Sequence, residues 1–212
     1  MAAVTFMQTP NTSKAFVFDV AGVLLDWRPE PYFEKYFADS NLDCSFFLSE
    51  VMSSEAQNRI SRGDDIDSVL GDLVVAHPDY ASAINLWKRD WHQLLPGAIE
   101  GTVSVVAELL ERDYPVYALG NWNRQEFEWA RQRFGFLNSF TDVLLSGDCG
   151  ILKPDVEIFE RAVAQFSIVP QNSVFIDDRA DNVQAAIGLG FNGLVFESPR
   201  HLYLTLMDYQ LL

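Results

Sequence analysis

Ala15-Phe16-Val17-Phe18-Asp19-Val20-Ala21-Gly22-Val23-Leu24-Leu25-Asp26 opens as an apolar run of strand length that stops at a single carboxylate. Gly22 follows three residues after Asp19, where the chain can turn without a Cβ penalty. In an open α/β sheet, ligands bind outside the carboxyl ends of the strands, so Asp19 stands where chemistry takes place. On its own the pattern is equally that of an acidic residue capping a turn after a buried strand. Three later stretches separate these readings.

Outward from Asp19, Arg28-Pro29-Glu30-Pro31 marks a linker. From residue 32 to about residue 95 the sequence carries helical patterns and no convincing strand. Phe33, Tyr36 and Phe37 share one helical face, and Phe46, Phe47 and Val51 form a second stripe. Ile66, Val69, Leu70 and Leu73 form a third, stopped by His77-Pro78, and Ile84, Trp87 and Trp91 a fourth. Pro96-Gly97 closes the region. Four amphipathic helices between two proline-marked linkers predict a small bundle, with Phe33, Phe46, Trp87 and Trp91 in its core.

Beyond Pro96 helix and strand alternate. Helix faces fall at Val103, Val106, Ala107 and Leu110; at Phe127, Ala130 and Phe134; at Ile158, Phe159, Ala162, Val163 and Phe166; and at Val183, Ala186, Ile187 and Gly190. Short apolar strands lie between and after them, at 116–119, 143–145, 174–176 and 194–196. With 15–18 as the first strand, this order predicts an α/β chain, a doubly wound parallel five-stranded sheet. Residues 1–28 and 96–212 then make the core, and residues 29–95 an inserted helical domain.

Composition narrows the function. At 212 residues, with 49% hydrophobic content and five Trp, seven Tyr and sixteen Phe, the chain has a sizeable core and is not disordered. A formal net charge of −15 and no run of Lys or Arg argue against a nucleic-acid or anionic-membrane partner. An anionic small substrate needs a metal or a local cation to offset that field. Cys44 and Cys149 have no CxxC partner and read as free thiols in a reducing cytoplasm. Residues 1–14 lack the basic start and apolar core of a signal peptide, and no apolar run approaches a membrane span. The expectation is a soluble, cytoplasmic protein.

The three later stretches sit on the same rim as Asp19. Gly120-Asn121 follows Leu119. Lys153-Pro154 places a lysine just before a proline expected at the first helical position. Asp177-Asp178-Arg179-Ala180-Asp181-Asn182 follows Ile176. Adjacent carboxylates at a strand end repel, so a cation is expected between them and Asp19. Mg²⁺, a hard ion that takes few protein carboxylates and several waters, fits. Singly, a Gly-Asn turn, a Lys-Pro pair and an Asp-Asp helix cap are ordinary; in this order, each at a rim, they make a site.

These motifs resemble those of the haloacid dehalogenase (HAD) superfamily of hydrolases, over nearly the whole chain. Phe18-Asp19-Val20-Ala21-Gly22-Val23 matches its first motif and Leu119-Gly120-Asn121 its second. Lys153-Pro154 matches its third, and Phe175-Ile176-Asp177-Asp178 with Asn182 its fourth. The phrase from Ser146-Gly147-Asp148 to Lys153-Pro154-Asp155-Val156-Glu157-Ile158-Phe159 is typical of it, and the insertion sits where that family carries a helical cap. The run Asp177-Asp178-Arg179-Ala180-Asp181-Asn182-Val183 resembles a bacterial branch that includes sugar-phosphate phosphatases.

The resemblance implies a Mg²⁺-dependent phosphomonoesterase acting on a small phosphorylated metabolite. Asp19 would attack phosphorus to form an aspartyl-phosphate. The metal would be held by Asp19, the Ala21 carbonyl and Asp178, with Asp177 acting through water. Gly120 and Asn121 would donate to the phosphate, and Lys153 would stabilise charge on nucleophile and phosphate. Two positions depart from the family. Ala21 replaces a second Asp that serves as general acid and base, a role worth about 10²–10⁴-fold, although the bacterial branch carries glycine there. Gly120 replaces a Ser or Thr. Three other functions stay open. One is a catalytically impaired phosphate-binding protein. Another is a C–P hydrolase of the phosphonoacetaldehyde type, with Lys35 or Lys88 as Schiff-base lysine. The last is a metal-free 2-haloacid dehalogenase, in which Asp177 and Asp178 have no role.

Overall fold

β1 (Ala15–Phe18) has no polar side chain and is buried at every residue. A strand shielded on both faces belongs inside a parallel sheet covered by helices. The computed structural model, which describes residues 15–212, places it there; the reading of residues 1–14 lies outside the described residues.

From β1 the chain passes Asp19 and turns at Gly22, φ +82°, into the two-residue strand β2 (Leu25–Asp26). Six helices follow: α1 (Glu30–Phe37), α2 (Cys44–Phe46) running into a π-helical turn at Phe47–Val51, α3 (Ser54–Ser61), α4 (Ile66–Ala76), α5 (Ala81–Arg89) and α6 (Trp91–Leu94). β3 (Gly97–Ala98) then pairs antiparallel with β2, so the two connections to the helical region form one ribbon. The α/β half continues with α7 (Glu100–Glu111), β4 (Val116–Gly120), α8 (Arg124–Arg133), β5 (Asp142–Leu145), α9 (Ser146–Cys149) and α10 (Val156–Phe166). It ends with β6 (Ser173–Asp177), α11 (Ala180–Gly188), β7 (Asn192–Val195) and α12 (Pro199–Asp208).

The sheet order is β5-β4-β1-β6-β7, with every neighbouring pair parallel, as the sequence predicts. In register, Phe18 lies between Ala118 and Ile176. The residues that follow these positions, Asp19, Leu119-Gly120 and Asp177, therefore reach one rim of the sheet. Side chains alternate between faces: Phe16, Phe18, Val116, Ala118 and Ile176 join the cluster that includes Val105, Leu109, Leu202 and Leu206, while Val17, Leu119 and Phe175 join Phe159, Ala162, Val183 and Ala186. Phe33, Phe47, Ile84 and Trp87 belong to a third cluster within the helical region. Each fully buried side chain of this size contributes about 1.5–3 kcal/mol.

Several local expectations change. The helical region contains α3, whose sequence SEAQNRIS buries only Ala56 and Ile60 and has too weak a stripe to be read. Tyr36 and Phe46 are exposed, at 42% and 41%, and Trp91 packs in the α/β core rather than in the bundle. The buried face of α7 is Thr102, Val105, Val106 and Leu109, because the run Val103–Val106 offers two apolar faces and packing selects the one that covers β1 and β4. Pro154 is not the first residue of a helix: its bond to Lys153 is cis, and α10 starts at Val156 with the Asp155 side chain accepting from the Glu157 amide. The last strand begins two residues early, at Asn192. Among the described residues, no helix is long and apolar enough to cross a membrane.

Candidate active site

Asp19 stands one residue past β1, 7% exposed, its main-chain amide donating to the Ile176 carbonyl at 2.8 Å. Its Oδ1 accepts from the Val20 amide at 2.7 Å and pairs with Lys153 Nζ at 2.8 Å. Among the described residues, every hydrogen bond and ion pair of this carboxylate falls on Oδ1, which leaves Oδ2 for an incoming group. Burial pushes the Asp19 carboxyl up to about 7, Asp177 adds to the rise, and Lys153 opposes it.

Lys153 reaches the rim from the loop before α10. Asn121 fixes that loop at two points: the Lys153 amide donates to Asn121 Oδ1 at 2.8 Å, and Asn121 Nδ2 donates to the Lys153 carbonyl at 3.0 Å. The Nζ atom faces three acceptors, Leu119 O at 2.8 Å, Asp177 Oδ2 at 2.7 Å and Asp19 Oδ1 at 2.8 Å. An ammonium has three protons, so Lys153 acts on a neighbouring anion through its charge. Burial alone would lower its pKa, but Asp177 and Asp19 outweigh burial and raise it. Asp177, fully buried, has both oxygens engaged: Asn182 Nδ2 donates to them at 2.9 and 3.0 Å, and the Arg179 amide donates to Oδ1 at 2.9 Å. Asp178 is exposed and folds against Gly22, where a Cβ would come within 2.5 Å of its Oδ2. Glycine is thus required at position 22 both for the turn and for this approach.

Asp19, Asp177 and Asp178 offer oxygens that lie within 4.8 Å of one another. Three carboxylates face one ammonium, an excess of negative charge that a hard divalent cation would neutralise. The Ala21 carbonyl accepts none of the turn's hydrogen bonds, since Gly22 N donates to Leu25 O and Leu25 N to Val20 O. The donor set therefore suits Mg²⁺, and the saturation of Asp177 suits contact through water better than direct ligation.

A cavity of about 140 Å³ lies between this rim and the helical region. Ala21, Asn121, Trp122 and Glu126 line it from the α/β half; Gln57, Ile60, Ser61 and Trp87 line it from the helices, and Trp27 from the connection. All five tryptophans of the chain gather along this seam: Trp27 lies 5.9, 6.1 and 6.5 Å from Trp87, Trp91 and Trp122, and Trp91 lies 5.5 Å from Trp129. The halves are joined by polar contacts too: Ser146 Oγ donates to Ser61 O at 2.6 Å and Asn123 Nδ2 to Ile60 O at 3.1 Å. Gly63, φ +99°, passes so close to Gly147 that a Cβ would sit 2.7 Å from its carbonyl oxygen.

The model of the haloacid dehalogenase-like hydrolase family matches residues 13–190. The chain belongs to this family. It is 27% identical over 188 residues to the sesquiterpene phosphatase astK of Aspergillus oryzae, covering 87% of this chain and 90% of that one. It is 25% identical over 190 residues to the D-ribitol-5-phosphate phosphatase of Bacteroides thetaiotaomicron, covering 84% and 89%. In fold it is similar to a HAD-family enzyme of Bacteroides thetaiotaomicron solved with magnesium and inorganic phosphate, with a TM-score of 0.67 and 22% identity over 91% of this chain and all of that one.

In this hydrolase the structure brings Asp19, Lys153, Asp177 and Asp178 together at one rim, with Ala21 and Asn121 on the adjoining cavity wall. The Asn121 side chain holds the Lys153 loop, and Gly120 packs under Val20, whose Cγ2 would lie 3.1 Å from a Cβ there. A hydroxyl side chain at 120 thus needs Val20 to give way. Lys35 and Lys88 are not among the described residues that line this cavity, and Lys88 pairs with Asp67 at 2.7 Å. Sequence reasoning missed Glu126, buried on α8 with its Oε1 accepting from Trp91 Nε1 at 3.1 Å. The one local signal was its spacing from Asn123, which caps α8 by accepting from the Gln125 amide. Nothing in that spacing says that the carboxyl is buried.

Proposed function

We propose that this hydrolase cleaves the phosphomonoester of a small metabolite with Mg²⁺ and through an aspartyl-phosphate on Asp19, residues 29–95 acting as the cap. The observation that carries the reading is the Asp19 carboxylate, pinned through Oδ1 by Lys153 and the Val20 amide with Oδ2 turned out. Both curated relatives named above are phosphatases, which supports a monoester substrate.

In this reading Oδ2 attacks phosphorus in line with the leaving oxygen. Lys153 offsets the charge of Asp19 and Asp177 as the phosphate approaches, and Asn121 keeps Lys153 in place. Asp19, the Ala21 carbonyl and Asp178 would hold Mg²⁺, with Asp177 acting through water. The ion, when bound, supplies neutralisation for the meeting of two anions. The aromatic seam excludes water, and the neutral Gln57 and Ser61 suit a leaving group that carries hydroxyls.

Phosphate release from a panel of sugar and alcohol phosphates with Mg²⁺ tests the reading. Asp19→Asn, prepared identically, should remove turnover by about 10⁴-fold or more; equal rates for the two proteins would overturn the assignment. Calorimetry on chelator-stripped protein should show Mg²⁺ binding that Asp178→Asn weakens strongly. No binding to the native chain would overturn the metal.

A further inference from the structure

We propose that Glu126 delivers the proton to the leaving oxygen in this hydrolase, from the wall of the cavity that it shares with Ala21 and Asn121. The inference rests on the phosphomonoesterase reading above.

Position comes first. Among the described residues Glu126 is the only acid lining the cavity, and its neighbours there include Ala21, in the turn that follows the nucleophile, and Asn121, which fixes Lys153. An alkyl leaving group departs as a strongly basic alkoxide unless a proton reaches it, and the methyl of Ala21 has none to give. Lys153 has its protons committed to three acceptors, and Asp177 has both oxygens engaged as acceptors.

Surroundings come second. Among the described residues no Lys or Arg lines the cavity. The arginines of α8 are spent elsewhere: Arg124 on Asp148, Arg131 on Asn138 and Glu128, and Arg133 on the carbonyls of His92, Leu95 and Pro96. A carboxyl buried without a cation is held in its neutral, proton-bearing form. Burial accordingly pushes Glu126 up to about 7, against the smaller opposing effects of Trp91 and the Asn123 amide.

The competing account is that Glu126 only caps α8 and anchors Trp91, since it stands at the third helical position after Asn123. Both tasks need an acceptor, and glutamine supplies one as well. Neither explains an ionisable acid facing the cavity.

The chemistry balances. As Asp19 Oδ2 bonds to phosphorus, the bond from phosphorus to the ester oxygen breaks and its electron pair stays on that oxygen. The oxygen takes the Glu126 proton and leaves as the alcohol. In the second half the Glu126 carboxylate removes a proton from water, the hydroxide attacks phosphorus, and the bond to Asp19 breaks. Inorganic phosphate is released and Glu126 is protonated again.

Glu126→Gln keeps the shape and both acceptor tasks but cannot give up a proton. With butyl phosphate, which has no further hydroxyl to anchor, kcat/KM should fall about 10²-fold. With para-nitrophenyl phosphate, whose leaving group needs no proton, kcat/KM should be unchanged. A burst of nitrophenol should appear as the aspartyl-phosphate accumulates. Equal losses on the two esters would mean a structural role, and no loss on butyl phosphate would mean that Glu126 contacts something other than the leaving oxygen; either overturns the proposal. Should the variant fold poorly, the native protein decides. Across a series of esters its kcat/KM should depend only shallowly on leaving-group pKa, and a steep dependence overturns the proposal. A native protein no more active than Asp19→Asn on any ester instead overturns the phosphomonoesterase reading itself.

Discussion

Asp19, Lys153 and Asp177 come to the site from the α/β half and hold one another at 2.7–2.8 Å. Gln57, Ile60, Ser61 and Trp87 come to it from the helical half and bring no charge. The contrast follows from what burial demands. A buried charge must find a partner and hydrogen bonds, so each residue of the rim constrains the next: Asn121 sets Lys153, Lys153 sets Asp19 and Asp177, and Asn182 sets Asp177 again. A neutral wall needs only shape, which many residues satisfy. One half therefore fixes the reaction and the other fixes what fits beside it.

The largest test of this contrast is Lys153→Met. It leaves Asp19 and Asp177 buried, close and without a cation, which should cost about 3–5 kcal/mol in urea denaturation at pH 7. The loss should shrink as the pH falls and Asp19 takes up a proton. A variant as stable as the native chain would break the claim that charge pairing organises the rim.

Next in size is a pH effect from Glu126, the one acid among the described residues that line the cavity. Its folded pKa of about 7 lies above the ordinary glutamate value of 4.5, so between those pH values the folded chain keeps a proton that the unfolded chain has released. Its stabilising contribution is complete below about pH 4.5 and is lost as the pH rises through 7. A rise of this size corresponds to about 3 kcal/mol. Glu126→Gln should remove that component from a plot of unfolding free energy against pH; parallel curves for the two proteins would show that the seam is wetter than its burial indicates.

The smallest effect concerns how the halves meet. Gly63→Ala would put a Cβ 2.7 Å from Gly147 O at a φ of +99°. A left-handed alanine costs about 1–2 kcal/mol, and the contact with Gly147 would push the end of α3 away from α9. Thermal unfolding should register the loss, and an unchanged midpoint would mean that this crossing is not tight in solution.

The same contrast decides how far the sequence could be read. The strand ends were legible, because an apolar run halting at Asp19 or Asp177 breaks pattern sharply and leaves few meanings. Gly22 and Lys153 were legible as well, since each lies beside such a break. The helical half was legible as helices and little more. α3 escaped because two apolar residues in eight make no stripe, and Phe46 was placed in a core that it does not enter. The Ser198-Pro199 pair carried a usable start signal for α12, with Ser198 accepting from His201 N at 3.1 Å, and went unread. Glu126 escaped for a different reason. A glutamate among Arg124, Gln125 and Glu128 has the local pattern of a solvated helix, and it is tertiary packing, with Trp91 approaching from α6, that takes it out of water.

The gathering of tryptophans has one more consequence. Because all five indoles of the chain lie along the seam, none serves as a silent background elsewhere in the molecule. Emission excited selectively in the tryptophans is therefore a signal of that junction alone. The protein carries its own optical gauge of how its two halves meet, read without attaching a dye.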